Sequence, residues 1–147
     1  MKKDICVNKR AKFDYYIEES FEAGLVLQGS EIKSLRNGKA SFQDSYVSFR
    51  NGEAFLKGLH ISEYSFANIN NHDEDRDRKL LLHKREIVKL ATKSKLQGYS
   101  VIPLKLYLKQ GLAKVEIALA RGKNVHDKRE SAKVRDMKRE AQKALRY

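Results

Sequence analysis

From Tyr46 to Ile61, "YVSFRNGEAFLKGLHI" carries strand-like runs on both sides of Asn51-Gly52, the dipeptide that supplies the positive φ angles of a type I′ hairpin turn. A second hairpin is expected in "VIPLKLYLKQGLAKVEIALA". There Leu104, Leu106 and Leu108 alternate with Lys105, Tyr107 and Lys109, and after Gly111 Val115, Ile117 and Leu119 resume the alternation. That pattern puts apolar side chains on one face and lysines on the other. "YYIEESFEAGLVL" supplies one or two further strands.

Two helices interrupt the strands. "GSEIKSLRNG" predicts a short one, with Ser30 as N-cap, Glu31 in the first turn, Ile32 and Leu35 inward, Lys33 and Arg36 on another face and Gly38 at the end. "HKREIVKLATKSKLQG" predicts a longer one: Ile87, Leu90, Ala91 and Ser94 follow helical spacing, and Gly98 stands where a terminating glycine belongs. Several antiparallel strands and two helices in about 120 residues fit a mainly β fold. The expected architecture is an OB-like closed antiparallel barrel with flanking helices, closure removing exposed edges.

The pattern changes near Arg121. From there to Tyr147, ten basic and four acidic side chains share 27 residues with few large apolar ones. The expected division is therefore a barrel over 1–120 and a basic tail over 121–147. On a helical wheel Val134, Met137, Ala141, Ala144 and Leu145 fall within about 100°, whereas Arg135, Arg139, Lys143 and Arg146 gather elsewhere. So short a helix is marginal in water, so the tail is expected to be disordered when free and to order against a phosphate-lined groove.

Composition sharpens the picture. In 147 residues Lys and Arg number 31 against 19 Asp and Glu, a net charge of +12. Such an excess favours a polyanion, because basic side chains release counterions condensed on phosphates. No apolar run approaches the ~20 residues of a membrane span, so no membrane partner is expected. The single cysteine, Cys6, cannot form an internal disulfide and reads as a small buried thiol, which fits a reducing cytoplasm. His60, His72, His83 and His126 lack zinc spacing, so no metal or cofactor is expected. "HDEDRDR", from His72 to Arg78, reads as a solvated, internally paired loop. No phosphate-binding loop, dinucleotide fingerprint or activated serine occurs, which argues against an enzyme. Lys9, Arg10 and Lys12 stand beside Phe13, Tyr15 and Tyr16, a mixture suited to phosphate contact and base stacking, although alternate rings of a strand there must point inward.

Taken together, "NKRAKFDYYIEESFEAGLVLQGSEIKSLRNGKASFQDSYV", "RKLLLHKREI", "PLKLYLKQGLAKVEIALARGK" and "HDKRE" closely resemble the SsrA-binding protein family, small protein B of bacterial trans-translation. The resemblance implies an OB-like barrel that binds the tRNA-like domain of transfer-messenger RNA. It implies delivery of that RNA, charged with alanine and carried with elongation factor Tu, to stalled ribosomes, without catalysis by the protein.

Carried over by position, the RNA-contacting surface includes Asn8, Arg10, Glu22, Glu31, Lys33, Arg36, Leu80 and Lys114, with the basic neighbours Lys9, Arg78, Lys79 and Lys123. A carboxylate gains nothing from phosphate. Glu22 must therefore accept from a base amine or 2′-hydroxyl, orient a nearby arginine, or serve only as a solvent-facing strand residue. The resemblance also implies that the tail reads the decoding centre in 16S rRNA and the empty messenger channel. His126, Asp127, Lys128 and Arg129 would lie at its hinge, and Arg135, Lys138, Arg139 and Lys143 along its basic side. The chain departs from the common family pattern at Phe13, where many members have histidine, and at Glu74 and Asp75, where many have proline after "NHD". The rival reading is a general OB-type nucleic-acid binder with a basic affinity tail.

Overall fold

Strands Ala40–Arg50 and Glu53–Ile61 meet through Asn51 at φ 53° and Gly52 at φ 74°, the paired left-handed residues of a type I′ turn. The computed structural model that contains this hairpin describes residues 2–63 and 72–123. The order of elements is β1 (Lys2–Val7), α1 (Ala11–Asp14), β2 (Tyr15–Leu25), α2 (Gly29–Arg36), β3 (Ala40–Arg50), β4 (Glu53–Ile61), β5 (Arg78–Leu81), α3 (Lys84–Ser94), β6 (Tyr99–Lys109) and β7 (Leu112–Gly122). The second expected hairpin is β6–β7, turned by Gln110 at φ 53° and Gly111 at φ 78°.

All the strands pair antiparallel in one sheet ordered β1-β6-β7-β2-β5-β4-β3, and the two edges, β1 and β3, pack beside each other. The result is a nearly closed barrel with few helices, as expected. Irregularities in β1, β2, β3 and β6 bend the sheet toward closure. Pro103 stands at the one in β6, where its missing N–H matters least. Gly58, at φ 80°, faces the bulge of β3 so closely that a Cβ there would stand 2.5 Å from the carbonyl oxygen of Gln43.

Inward residues such as Ala23, Leu56, Leu59, Leu106, Val115 and Ile117 have no exposed surface and form one core. The helices close over it: Leu35 of α2 and Leu90 of α3 are fully buried, each worth about 1.5–3 kcal/mol relative to exposure. Across β6 and β7, a smaller cluster of Ile102, Ala120 and Ala11 seats α1.

Several local expectations change. α1, β1 and β5 were not foreseen as a helix and two strands; α1 is a four-residue turn whose one buried side chain is Ala11. The N-cap of α2 is Gln28 and not Ser30: Gln28 and Glu31 form a reciprocal capping box, while Ser30 Oγ is hydrogen-bonded to His72 Nδ1 at 2.8 Å. α3 ends at Ser94 with Lys95 as its cap, and Gly98, at φ 83°, turns the chain into β6. Tyr107, placed on the lysine face by alternation, is 2% exposed.

The "HDEDRDR" run is paired within itself, as expected, through Asp75 N–H to Asp73 Oδ1 and Arg78 to the carbonyls of Asp73, Glu74 and Arg76, and it is also tied to the rest of the fold. His72 is buried with Nε2 donating to the carbonyl of Ile61; Glu74 and Asp75 meet His60; Asp77 meets Lys57; Arg76 and Arg78 meet Glu31. Partners 11 to 47 residues away in sequence could not be read from a local charge pattern. Cys6 is half-buried, and burial pushes its thiol up to about 11, so it stays protonated.

Candidate nucleic-acid interface

The expected RNA-contacting residues fall at three places. The first surrounds α1. Asn8 anchors the turn into that helix, its backbone N–H donating to Leu104 O at 2.8 Å and its Nδ2 to Pro103 O at 2.9 Å. Lys9 and Arg10 follow on the surface, where the Arg10 guanidinium lies 3.4 Å from Asp14 and 5.5 Å from the Phe13 ring centre. Lys123 arrives from the far end of β7: its backbone N–H donates to Asp14 O and its ammonium to Lys12 O. The Lys123 ammonium and the Arg121 guanidinium both lie over Tyr16, 4.8 and 5.2 Å from the ring centre. Lys9, Arg10, Lys95 and Lys123 rim an open groove of about 1370 Å³ whose walls include Tyr15, Tyr46 and Tyr99. Cations over aromatic faces beside such a groove suit phosphate contact and stacking.

The second place is a hollow of about 560 Å³ lined by Glu22, Lys79, Leu80 and Lys114 together with Leu81, His83 and Glu86. Lys79 is held by Glu53 at 3.1 Å. Glu22 Oε2 accepts from the Tyr107 hydroxyl at 2.5 Å and lies 3.5 Å from the Lys109 ammonium. The Tyr107 hydrogen bond, then the charges of Lys109 and Lys114, outweigh burial and hold the Glu22 carboxyl below its ordinary range. Burial first, and the Glu22 carboxylate second, push the Tyr107 phenol up. Leu80 is 1% exposed, whereas its neighbour Leu81 is 56% exposed and lines the same hollow. Sequence reasoning chose Leu80 and missed Leu81. The signal was available, since in a strand a core leucine obliges the next one to face outward.

The third place is α2. Lys33 and Arg36 are exposed, as the wheel indicated. Glu31 and Arg78 are not: both are fully buried and share a hydrogen bond of 2.6 Å. Glu31 also accepts from Arg76 and from the Gln28 backbone, and Arg78 donates to the carbonyls of Leu59, Arg76, Glu74 and Asp73. All five guanidinium N–H groups are thereby used. Burial pushes the Glu31 carboxyl up, but Arg76, Gln28 and Arg78 outweigh it and keep the group ionised, below its ordinary range. Glu31 and Arg78 have no exposed surface and Leu80 only 1%, so in the closed fold the first two support the surface from beneath and Leu80 contributes little more than the floor of the hollow.

His126, Asp127, Lys128, Arg129, Arg135, Lys138, Arg139 and Lys143 lie outside the described residues. Among the described residues, no three His, Cys, Asp or Glu side chains are placed to hold a metal ion, and no helix is long and apolar enough to cross a membrane.

Residues 5–147 match the family described as SmpB protein. The chain is 59% identical to the SsrA-binding protein of Geotalea uraniireducens over 142 residues, covering 97% of this chain and 94% of that one. To the SsrA-binding protein of Geobacillus kaustophilus it is 55% identical over 144 residues, covering 98% and 93%. It also resembles a solved structure of tmRNA-SmpB, described as a journey to the centre of the bacterial ribosome. The TM-score is 0.70 and the identity 44%, over 86% of this chain and 93% of that one.

Proposed function

The chain belongs to the SmpB protein family, and from that premise we propose that it is the RNA-binding partner of transfer-messenger RNA in trans-translation. It binds the tRNA-like domain of that RNA and delivers it to stalled ribosomes. The observation that carries this reading is the family match from residue 5 to residue 147, which takes in barrel and tail alike.

The barrel supports it physically. A nearly closed sheet cannot flex much, so the basic groups around α1, on α2 and at the hollow keep fixed spacings on which a folded RNA can register. Lys9, Arg10, Lys33, Arg36, Lys79, Lys114 and Lys123 supply a salt-dependent attraction, with a log–log slope of roughly −0.7 to −0.9 per phosphate neutralised. Asn8 sets the entry to α1, and Glu22 and Leu81 offer an acceptor and an apolar surface to unstacked bases. The protein performs no bond chemistry; it carries the RNA, and elongation factor Tu joins through the charged RNA. The tail, from His126 through Lys143, reads the decoding centre in 16S rRNA and the vacant messenger path, in the cytoplasm where ribosomes work.

The test separates body from tail. A chain ending at Lys123 keeps β7 and its bonds to α1, and is expected to bind the tRNA-like domain within a few-fold of the whole protein while supporting no peptide tagging in a reconstituted stalled-translation assay. Loss of RNA binding by the shortened chain sinks the division of labour. Equal competition by an unrelated structured RNA at physiological salt favours a general basic binder instead.

A further inference from the structure

The outer face of β2, β7 and β6 carries a buried tyrosine under a layer of charges. Register places Glu22 opposite Glu116, Glu116 opposite Lys105, Gly24 opposite Lys114, and Lys114 opposite Tyr107, so these residues share one face; Asp4 of β1 lies opposite Tyr107 on the far side. The Glu22 side chain reaches across β7 to β6, where both the Tyr107 hydroxyl and the Lys109 ammonium meet the same oxygen, Oε2. No described residue binds Oε1, and Glu22 lines the hollow with Lys79, Leu81 and Lys114. Tyr107 is 2% exposed and offers a ligand almost no surface of its own.

We propose that Tyr107 is a positioning residue for RNA recognition: with Lys109 it fixes Glu22 through Oε2, so that Oε1 is presented as a pre-oriented acceptor for a base N–H or a ribose 2′-hydroxyl. The inference rests on the RNA-binding reading above and adds to it the means by which one carboxylate on a basic protein favours RNA. A mobile glutamate facing phosphates is repelled. One whose charge is already shared with a phenol and an ammonium, and whose side chain has lost its rotational freedom before binding, accepts a hydrogen bond at small further entropic cost. The groups facing Glu22 are Tyr107, Lys109 and Lys105 on β6 and Lys114 and Glu116 on β7, while Glu53, Lys79, His83 and Glu86 complete the hollow's charged lining.

The experiment compares the whole protein with Tyr107→Phe, Glu22→Gln, the double variant and Lys109→Gln, reading affinity for the tRNA-like domain by fluorescence anisotropy from pH 3 to 8. At neutral pH Tyr107→Phe is expected to bind about tenfold more weakly, with the barrel intact by circular dichroism. The loss should nearly vanish in the Glu22→Gln background. Binding needs the Glu22 carboxylate, so it is present above the carboxyl's pKa and lost as pH falls through it. Removing the phenol raises that pKa, and the acid limb of the Tyr107→Phe profile should begin at higher pH. A merely structural tyrosine would shift no acid limb and would cost as much in the Glu22→Gln background as in the unaltered one. Lys109→Gln, at an exposed position, should show a smaller loss in the same direction and carries the test alone if Tyr107→Phe does not fold. Unchanged affinity in both variants, or equal losses in the two backgrounds, overturns the proposal. Failure of the unaltered protein to prefer the tRNA-like RNA over an unrelated hairpin overturns the functional reading instead.

Discussion

Glu31 is the residue whose role changes most between the chain and the fold. On a wheel it is a surface carboxylate in the first turn of α2; in the barrel it is fully buried between Arg76 and Arg78 and caps its own helix. Its replacement by glutamine leaves the Arg78 guanidinium buried without its counter-charge, a loss expected to cost about 3–5 kcal/mol, measured by urea unfolding. The pH dependence has a definite sign. The folded carboxyl is held below its unfolded value, so its stabilisation is complete above the ordinary carboxylate range and is lost as pH falls through the folded value. The gap between the unaltered protein and Glu31→Gln should therefore narrow in acid; a gap that widens there contradicts the account. Gly58 is a second such residue. Gly58→Ala would combine a left-handed backbone angle with a Cβ pressed against Gln43 O and is expected to cost at least about 2 kcal/mol, seen as a lowered thermal midpoint. Neither effect is legible from neighbours in sequence: Glu31 and Arg76 stand 45 residues apart, and nothing beside Gly58 announces the bulge it faces.

At the scale of elements, the legible ones were those whose signals are local. Asn51-Gly52 fixed its hairpin because both angles it needs are cheap for those two residues. The α3 helix followed its apolar spacing to a fully buried Leu90. The illegible ones owe their form to partners. β5 is four residues long and is a strand because β2 and β4 flank it. α1 exists because Ala11 fits against Ile102 and Ala120. Together α1 and the end of β7 make a patch that no single segment contains, with Tyr16 carrying Arg121 and Lys123 on one ring. Lys9→Gln, Arg10→Gln and Lys123→Gln should each lower RNA affinity only a few-fold and reduce the salt slope by about one phosphate's share or less, as read by anisotropy over a salt series. A slope unchanged in the triple variant would remove this patch from the interface.

For the whole molecule, composition and architecture point the same way: an excess of basic charge spread over a nearly closed sheet, continued by a segment with nine basic side chains after the barrel strands. The candidate site was legible in its exposed cations, Lys9, Arg10, Lys33 and Arg36, because exposed charge needs no partner to be placed. Tyr107 was not legible, because alternation assigned it to a solvent face although the fold buries it, whereas the outward Leu81 could have been read from a core Leu80 by strand alternation.

By itself the sequence determined the β-rich class, the two glycine-turned hairpins, the basic surface and the family, since each follows from local conformational preference, from summed charge, or from long matched segments. Only the tertiary structure decided which charges are surface and which are core. Burial and ion pairing depend on contacts across tens of residues, and a charged side chain loses its solvent, or keeps it, according to what the closed barrel lays over it.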